Sequence, residues 1–211
     1  MDFLPDDIAR YAETHTSPES ALLKKINRDT HAHVLMPRML SGQLQGRFLS
    51  MISHLMQPRY ILEIGTYTGY SALCLAEGLA TDGRLITVDV NEELESRVRA
   101  YFRQSCWNDK IDYRIGDAAQ LIPTLPGNMD LVFIDADKEN YSTYYQLVLD
   151  KMNSGGIILA DNVLWSGKVT QPKPDKDTRA IQEFNTMVVN DPRVDCLLLP
   201  MRDGIMMARK K

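Results

Sequence analysis

Cysteine is scarce in this chain. There are three in 211 residues, Cys74, Cys106 and Cys196, odd in number and too widely spaced for a CxxC pair or a zinc ligand set. A disulfide framework and a zinc module are both excluded, and each thiol, set among apolar neighbours, reads as buried in a reducing cytoplasm. Long apolar runs are missing too, so nothing in the sequence spans a bilayer as a helix. The opening MDFLPDDIAR is acidic, is interrupted by Pro5, and is unlike a signal peptide. Positive charge is not in excess: the formal net charge is −4, whereas a nonspecific nucleic-acid binder is usually basic. With 44% hydrophobic and 25% charged residues, the composition is that of an ordinary soluble globular protein. The length suits one domain, and no repeat or linker divides it.

The first third reads as helical. Ser17 followed by Pro18 has the pattern of an N-cap and first helical residue, predicting a helix through Leu22, Leu23 and Ile26. Pro37 interrupts, and Leu44, Phe48, Met51, Ile52 and Leu55 then mark one face of a helix over 43–56. From residue 60 onward, short apolar runs (60–64, 85–89, 111–115, 131–135 and 157–161) alternate with helical stretches. Continuously apolar strands, each followed by a helix, predict a parallel sheet covered on both faces. The last two runs, 196–199 and 205–208, are joined by only a short turn, too short for a parallel crossover. The expectation is a helical segment over 1–58 and an α/β core over 59–211, with a mostly parallel sheet and one antiparallel strand.

Ligands of such sheets bind at the carboxyl ends of the strands, and there stand Glu63, Asp89, Asp117, Asp135 and Asp161. The first loop, EIGTYTGYS (63–71), lacks the GxGxxG pattern of a dinucleotide site. Gly65 permits a sharp turn and close backbone approach. Glu63 at the mouth of the loop suits a cationic amino-acid ligand better than phosphates. Asp89 follows at about the spacing of a ribose-binding acid. Together they indicate a nucleoside cofactor, NAD or S-adenosylmethionine, and the missing third glycine favours the latter. Asp135, Asp161 and Asn162 offer only oxygen, which suits Mg²⁺, Mn²⁺ or Ca²⁺ rather than zinc. Lys138 lies three residues after Asp135. A free lysine is a poor base, with a pKa of about 10.4, but a neighbouring dication and partial burial lower such a value. A chelated diol, a cation and Lys138 as base would deliver an oxyanion to a methyl sulfonium.

Four segments carry a family resemblance: EIGTYTGYS, VFIDADKENY (132–141), ADNVLW (160–165) and DPRVDCLLLPMRDGI (191–205). From about residue 11 to 209 the chain resembles the cation-dependent O-methyltransferases, the group of caffeoyl-CoA and catechol O-methyltransferases. The resemblance implies a class I S-adenosylmethionine-dependent methyltransferase fold of Rossmann-like α/β type, with seven strands and extra N-terminal helices, usually as a homodimer. It implies that Met39 and Ser41 border cofactor and substrate, and that Glu63, Gly65, Thr66 and Ser71 hold the methionine end. Asp89 would take the ribose, with Ala118 near the adenine and Asp135 and Asp137 beside the cofactor. Asp135, Asp161 and Asn162 match the metal ligands, Lys138 the catalytic lysine, and Trp165 the aromatic wall of the acceptor pocket.

The stretch 167–177, rich in lysine and proline, matches no family pattern and is expected to shape that pocket or its lid. The N-terminal segment matches loosely, which counts against a CoA thioester and favours small phenols. His31 and His33 lack a third ligand and read as solvent or pocket-edge residues. The sequon Asn140-Tyr141-Ser142 is discounted, and Asp175-Lys176-Asp177 reads as a solvated loop. The leading expectation is a divalent-metal-dependent, cytoplasmic O-methyltransferase acting on a small vicinal diol. A tRNA hydroxyuridine methyltransferase, a non-catalytic cofactor-binding module and an NAD oxidoreductase are the alternatives.

Overall fold

Apolar runs that are buried on both sides must lie inside a sheet, and the computed structural model, which describes residues 5–211, shows one. Three helices come first: α1 (Asp6–Thr14), α2 (Ala21–His33) and α3 (Gly42–Met56). Strands and helices then alternate as β1 (Tyr60–Ile64), α4 (Tyr70–Ala76), β2 (Arg84–Asp89), α5 (Glu95–Phe102), β3 (Ile111–Ile115), α6 (Ala118–Leu121), β4 (Met129–Ile134), α7 (Tyr141–Leu149) and β5 (Met152–Asp161). The chain continues with α8 (Lys176–Asn190), β6 (Val194–Leu199) and β7 (Ile205–Lys210). The described strands form one sheet in the order β3-β2-β1-β4-β5-β7-β6. β7 runs antiparallel to both β5 and β6, as the short turn before it requires.

The two faces of the sheet seed two cores. Leu62, Ile64, Val132, Ile134, Ile158 and Ala160 face Tyr141, Tyr145 and Phe184 on one side. Ile61, Leu131, Phe133 and Leu159 face Leu23, Leu49 and Tyr70 on the other. Alternation along each strand does the sorting, since successive side chains point to opposite faces. Each such burial contributes roughly 1.5–3 kcal/mol, so the central strands carry much of the stability.

Several local expectations are corrected. The second helix begins at Ala21, not at Pro18. Ser20 is its N-cap, its hydroxyl accepting the Leu23 N–H, and it does for the free amide what Ser17 is one turn too early to do. Helix α1 precedes it and buries none of its residues. The helical stretch between the runs 85–89 and 111–115 opens as a 3₁₀ turn over Glu92–Leu94 and ends at Phe102. Of the thiols only Cys74 is buried; Cys106 is exposed in the turn after α5, and Cys196 is half-buried on edge strand β6. Asp175 is not in a plain solvated loop: it caps α8, accepting from the Thr178 N–H at 2.8 Å. The first four residues of the MDFLPDDIAR segment lie outside the described residues. Among the described residues no helix is long and apolar enough to cross a membrane.

Helix α3 and the turn that follows α4 meet backbone to backbone. A Cβ on Gly78 would stand 2.2 Å from both the Ser53 carbonyl carbon and the His54 nitrogen. Beside it Arg47 grips Glu77 through two 2.8 Å bonds, and Ser50 donates to the same carboxylate. Gly78→Ala is therefore expected to force the helices apart and to cost about 1–3 kcal/mol, lowering the urea midpoint. An unchanged midpoint would contradict this packing.

Candidate active site

Parallel pairing places the carboxyl ends of β1, β2, β4 and β5 along one edge, and there a cleft of 1340 Å³ opens. Gly65 stands on its wall with φ +98°, and a Cβ there would lie 1.9 Å from the Asp135 carbonyl oxygen. Only glycine fits where β1 and β4 end side by side. The Asp89 carboxylate is fixed by the loop it faces. Its Oδ2 accepts from the N–H groups of Thr66 and Tyr67 at 2.9 and 2.7 Å, and its Oδ1 accepts from Asn91. Three of roughly four acceptor positions are thus held by backbone, and the spare one is on Oδ1. Ala118 and Asp137 also border the cleft. Asp117 only caps α6, through the Ala119 N–H.

Four of the expected cofactor residues lie behind the cleft wall. Ser41, Glu63, Thr66 and Ser71 are all buried. Thr66 turns its hydroxyl inward to Thr87 at 2.6 Å. Thr87 also donates to Glu63 Oε2, while Glu63 Oε1 is buried with no partner. Burial pushes the Glu63 carboxyl up to about 8, against the Ser71 and Thr87 hydroxyls, which oppose the shift. A cationic group reaching Oε1 would find an acceptor already desolvated, which fits the ammonium end of an amino-acid-like cofactor.

The half expected to carry the reaction is built on β4, β5 and the turn into α7. The Lys138 ammonium, its side chain 9% exposed, lies 3.4 Å from Asp135 Oδ1, 2.9 Å from Asn162 Oδ1 and 2.5 Å from the Tyr141 hydroxyl. Tyr141 in turn donates its hydroxyl hydrogen bond to the Asp161 carbonyl at 2.9 Å. Asn162 has φ +60°, a conformation asparagine tolerates better than most residues. Asp161 is buried and is raised to about 6, chiefly by burial and then by the charge of Asp135. Its Oδ1 accepts from the Asn162 N–H and its Oδ2 from Gln45 Nε2 at 2.7 Å. Two close carboxylates and an amide oxygen, with an ammonium already drawn onto that set, fit a hard cation.

Trp165 closes this end, with Lys138 Nζ 5.8 Å and Lys168 Nζ 6.0 Å from its ring. Trp165, Ser166 and Gly167 all have positive φ. This strained bend is pinned where the Ser166 N–H meets Asp203 and the Leu164 N–H meets the Asp203 carbonyl. Residues 167–177 thus run from a 3₁₀ segment to the cap of α8, with Lys168 3.1 Å from Asp175. Met39 is on the cleft wall and 55% exposed. His33 is at the cleft edge, while His31 accompanies the Asn27 carbonyl.

The sequence reading missed Gln45, Tyr67, Tyr141 and Arg202. Tyr67, Tyr141 and Arg202 lie inside recognised motifs, but nothing in their spacing shows their partners. Gln45 gave no signal: the buried face of α3 is Gln45, Gly46, Leu49, Ser50 and Ser53, whereas Met51 and Leu55 of the apolar face read from the sequence are exposed.

Between the ordinary value near 4.5 and about 8, the folded chain keeps a proton on Glu63 that the unfolded chain has released. That contribution to stability is full below about 4.5 and is lost as pH rises through about 8. Glu63→Gln keeps the shape and removes the titration. Its urea midpoint relative to the parent is expected to improve steadily from about pH 5 to about pH 9; a constant difference would contradict the assignment.

A family model described as O-methyltransferase matches residues 13–211. Caffeoyl-CoA O-methyltransferase 1 of Arabidopsis thaliana is 33% identical over 220 residues, covering 97% of this chain and 85% of that protein. Among solved structures, the SAH-bound methyltransferase of Podospora anserina superposes with a TM-score of 0.89 at 29% identity, covering 100% of this chain and 99% of its own. The O-methyltransferase of Bacillus cereus, in complex with SAH, gives 0.89 at 30% identity and 97% coverage of each chain. The seven-stranded sheet with its inverted β7 is thus a methyltransferase sheet, and this chain belongs to the O-methyltransferase family.

Proposed function

We propose that this chain moves a methyl group from S-adenosylmethionine to one hydroxyl of a small aromatic vicinal diol, assisted by a divalent cation. The observation that carries the reading is the Lys138 ammonium set against the oxygens of Asp135 and Asn162, beside Asp161. SAH, the demethylated form of this donor, accompanies two of the structural neighbours. In this chain Gly65, Asp89 and Ala118 offer the nucleoside half of the cleft, and the unpartnered Glu63 Oε1 favours a cationic amino-acid end.

Asp135, Asp161 and Asn162 would hold the cation. When bound, it supplies Lewis acidity that favours the deprotonated form of a chelated phenol. Lys138 would act as the neutral amine: it takes the phenol proton and becomes the ammonium that stands against Asp135 and Asn162. The oxygen–methyl bond forms as the methyl–sulfur bond breaks, and SAH departs. Trp165 and Met39 flank the ring of the acceptor. Most of the acceleration would come from holding the reactants in line and stabilising charge as it develops. Eight carboxylates against five lysines and arginines line the cleft. That balance suits a cationic donor, a dication and a neutral acceptor, and it opposes a polyanion such as tRNA or a CoA ester.

Methyl transfer to a catechol is expected to stop in excess chelator and to return with Mg²⁺; full activity in chelator would refute the cation's role. Lys138→Met is expected to lower turnover by about 10²–10⁴-fold with little change in SAH affinity by calorimetry. Turnover close to the parent's would remove Lys138 as the base. Asp161→Ala is expected to lose cation binding and activity together, and a fully active variant would contradict the proposed ligand set.

A further inference from the structure

Gln45, Leu49 and Ser53 recur at helical spacing on the buried side of α3. An amide at such a position needs partners for both its oxygen and its nitrogen, and Gln45, only 1% exposed, has both. Its Nε2 donates to Asp161 Oδ2 at 2.7 Å, and its Oε1 accepts from Arg202 Nη1 at 2.9 Å. The orientation of the amide is unambiguous, because an ionised carboxylate only accepts and a guanidinium only donates. The same Arg202 nitrogen donates to the Leu40 and Ser41 carbonyls. The start of α3, the end of β5 and the turn between β6 and β7 are therefore joined at one point.

We infer that Gln45, held by Arg202, is a positioning residue that sets the orientation of the Asp161 carboxylate for divalent-cation binding. The inference rests on the cation site proposed above. Asp161 Oδ1 is fixed by the backbone N–H of its neighbour Asn162, and Gln45 fixes Oδ2. With one donor on each oxygen the carboxylate plane cannot turn, and each oxygen keeps acceptor capacity for a cation. Without Gln45 the carboxylate is free to rotate about its terminal bond. It can then meet the Lys138 ammonium instead of staying in register with Asp135 and Asn162. Gln45 is off the cleft wall, so it acts only through Asp161.

The test measures Mn²⁺ binding to the full chain by electron paramagnetic resonance of the free ion. SAH affinity without cation and the thermal midpoint are recorded alongside. Gln45→Met keeps the shape and removes both hydrogen bonds. It is expected to weaken Mn²⁺ binding by about 10-fold or more, as loss of a partner behind a metal ligand commonly does, while cation-free SAH affinity holds. Arg202→Met is expected to weaken it in the same direction. The double variant should be no weaker than Gln45→Met alone, since both act through one hydrogen-bonded chain. Gln45→Asn keeps a buried amide but withdraws it by one methylene, and it gives the same readout if the methionine variant fails to fold. Mn²⁺ affinity of the folded variants within about twofold of the parent, even with a lowered midpoint, overturns the inference and leaves the cation site standing. A parent chain that binds no Mn²⁺ removes both.

Discussion

Parallel pairing of β1, β4 and β5 carries Glu63, Asp135 and Asp161 to the same edge of the sheet, and a parallel sheet offers no way to separate them. Like charges in a poorly solvated place repel and favour protonation, and the surroundings at this edge answer that repulsion. Glu63 takes the Thr87 hydroxyl and a high protonation point. Asp135 takes the ammonium of Lys138, and Asp161 takes an amide, a backbone N–H and the more distant charge of Arg202. None of these responses neutralises the edge completely. What remains is a carboxylate-rich edge that suits a sulfonium-bearing cofactor, and it is the ground on which a divalent cation is proposed above.

The order of strands and helices was legible because apolar runs of four to six residues alternate with helical spacing, and the reversal of β7 followed from the shortness of one turn. The site residues were legible as far as they stand at strand ends. Helix starts were less so, because Ser17 and Ser20 both suit a cap and only the position of the first free amide chooses between them. Burial of Ser41, Thr66 and Ser71 behind the cleft could not be read at all. A residue type and its place in a motif do not say whether its side chain faces the ligand or braces the loop that does. The link from Gln45 to Asp161 spans 116 positions in sequence, and no local pattern encodes such a pairing.

Close approach of main chains is the second recurring device. At Gly65 the glycine loop abuts the Asp135 carbonyl, so the loop and the proposed cation side share one junction. At Gly78 the N-terminal helices are pressed onto the core. The first contact sets the geometry of the cleft, and the second presents Gln45 to the sheet edge.

The inverted strand has a further consequence along the chain. β7 is inserted between β5 and β6, so the outer edge of β5, the strand that delivers Asp161, acquires its hydrogen-bonded neighbour only from residues 205–209. Arg202, which steadies Gln45 from the turn just before, stands equally late in the sequence. The glycine loop and Asp89 are supplied within residues 60–89, whereas the surroundings of Asp161 draw on residues 202–209, more than a hundred positions further along. A lesion in the last strand would therefore reach the Asp161 side of the cleft directly, and the Gly65 and Asp89 side only through the rest of the sheet.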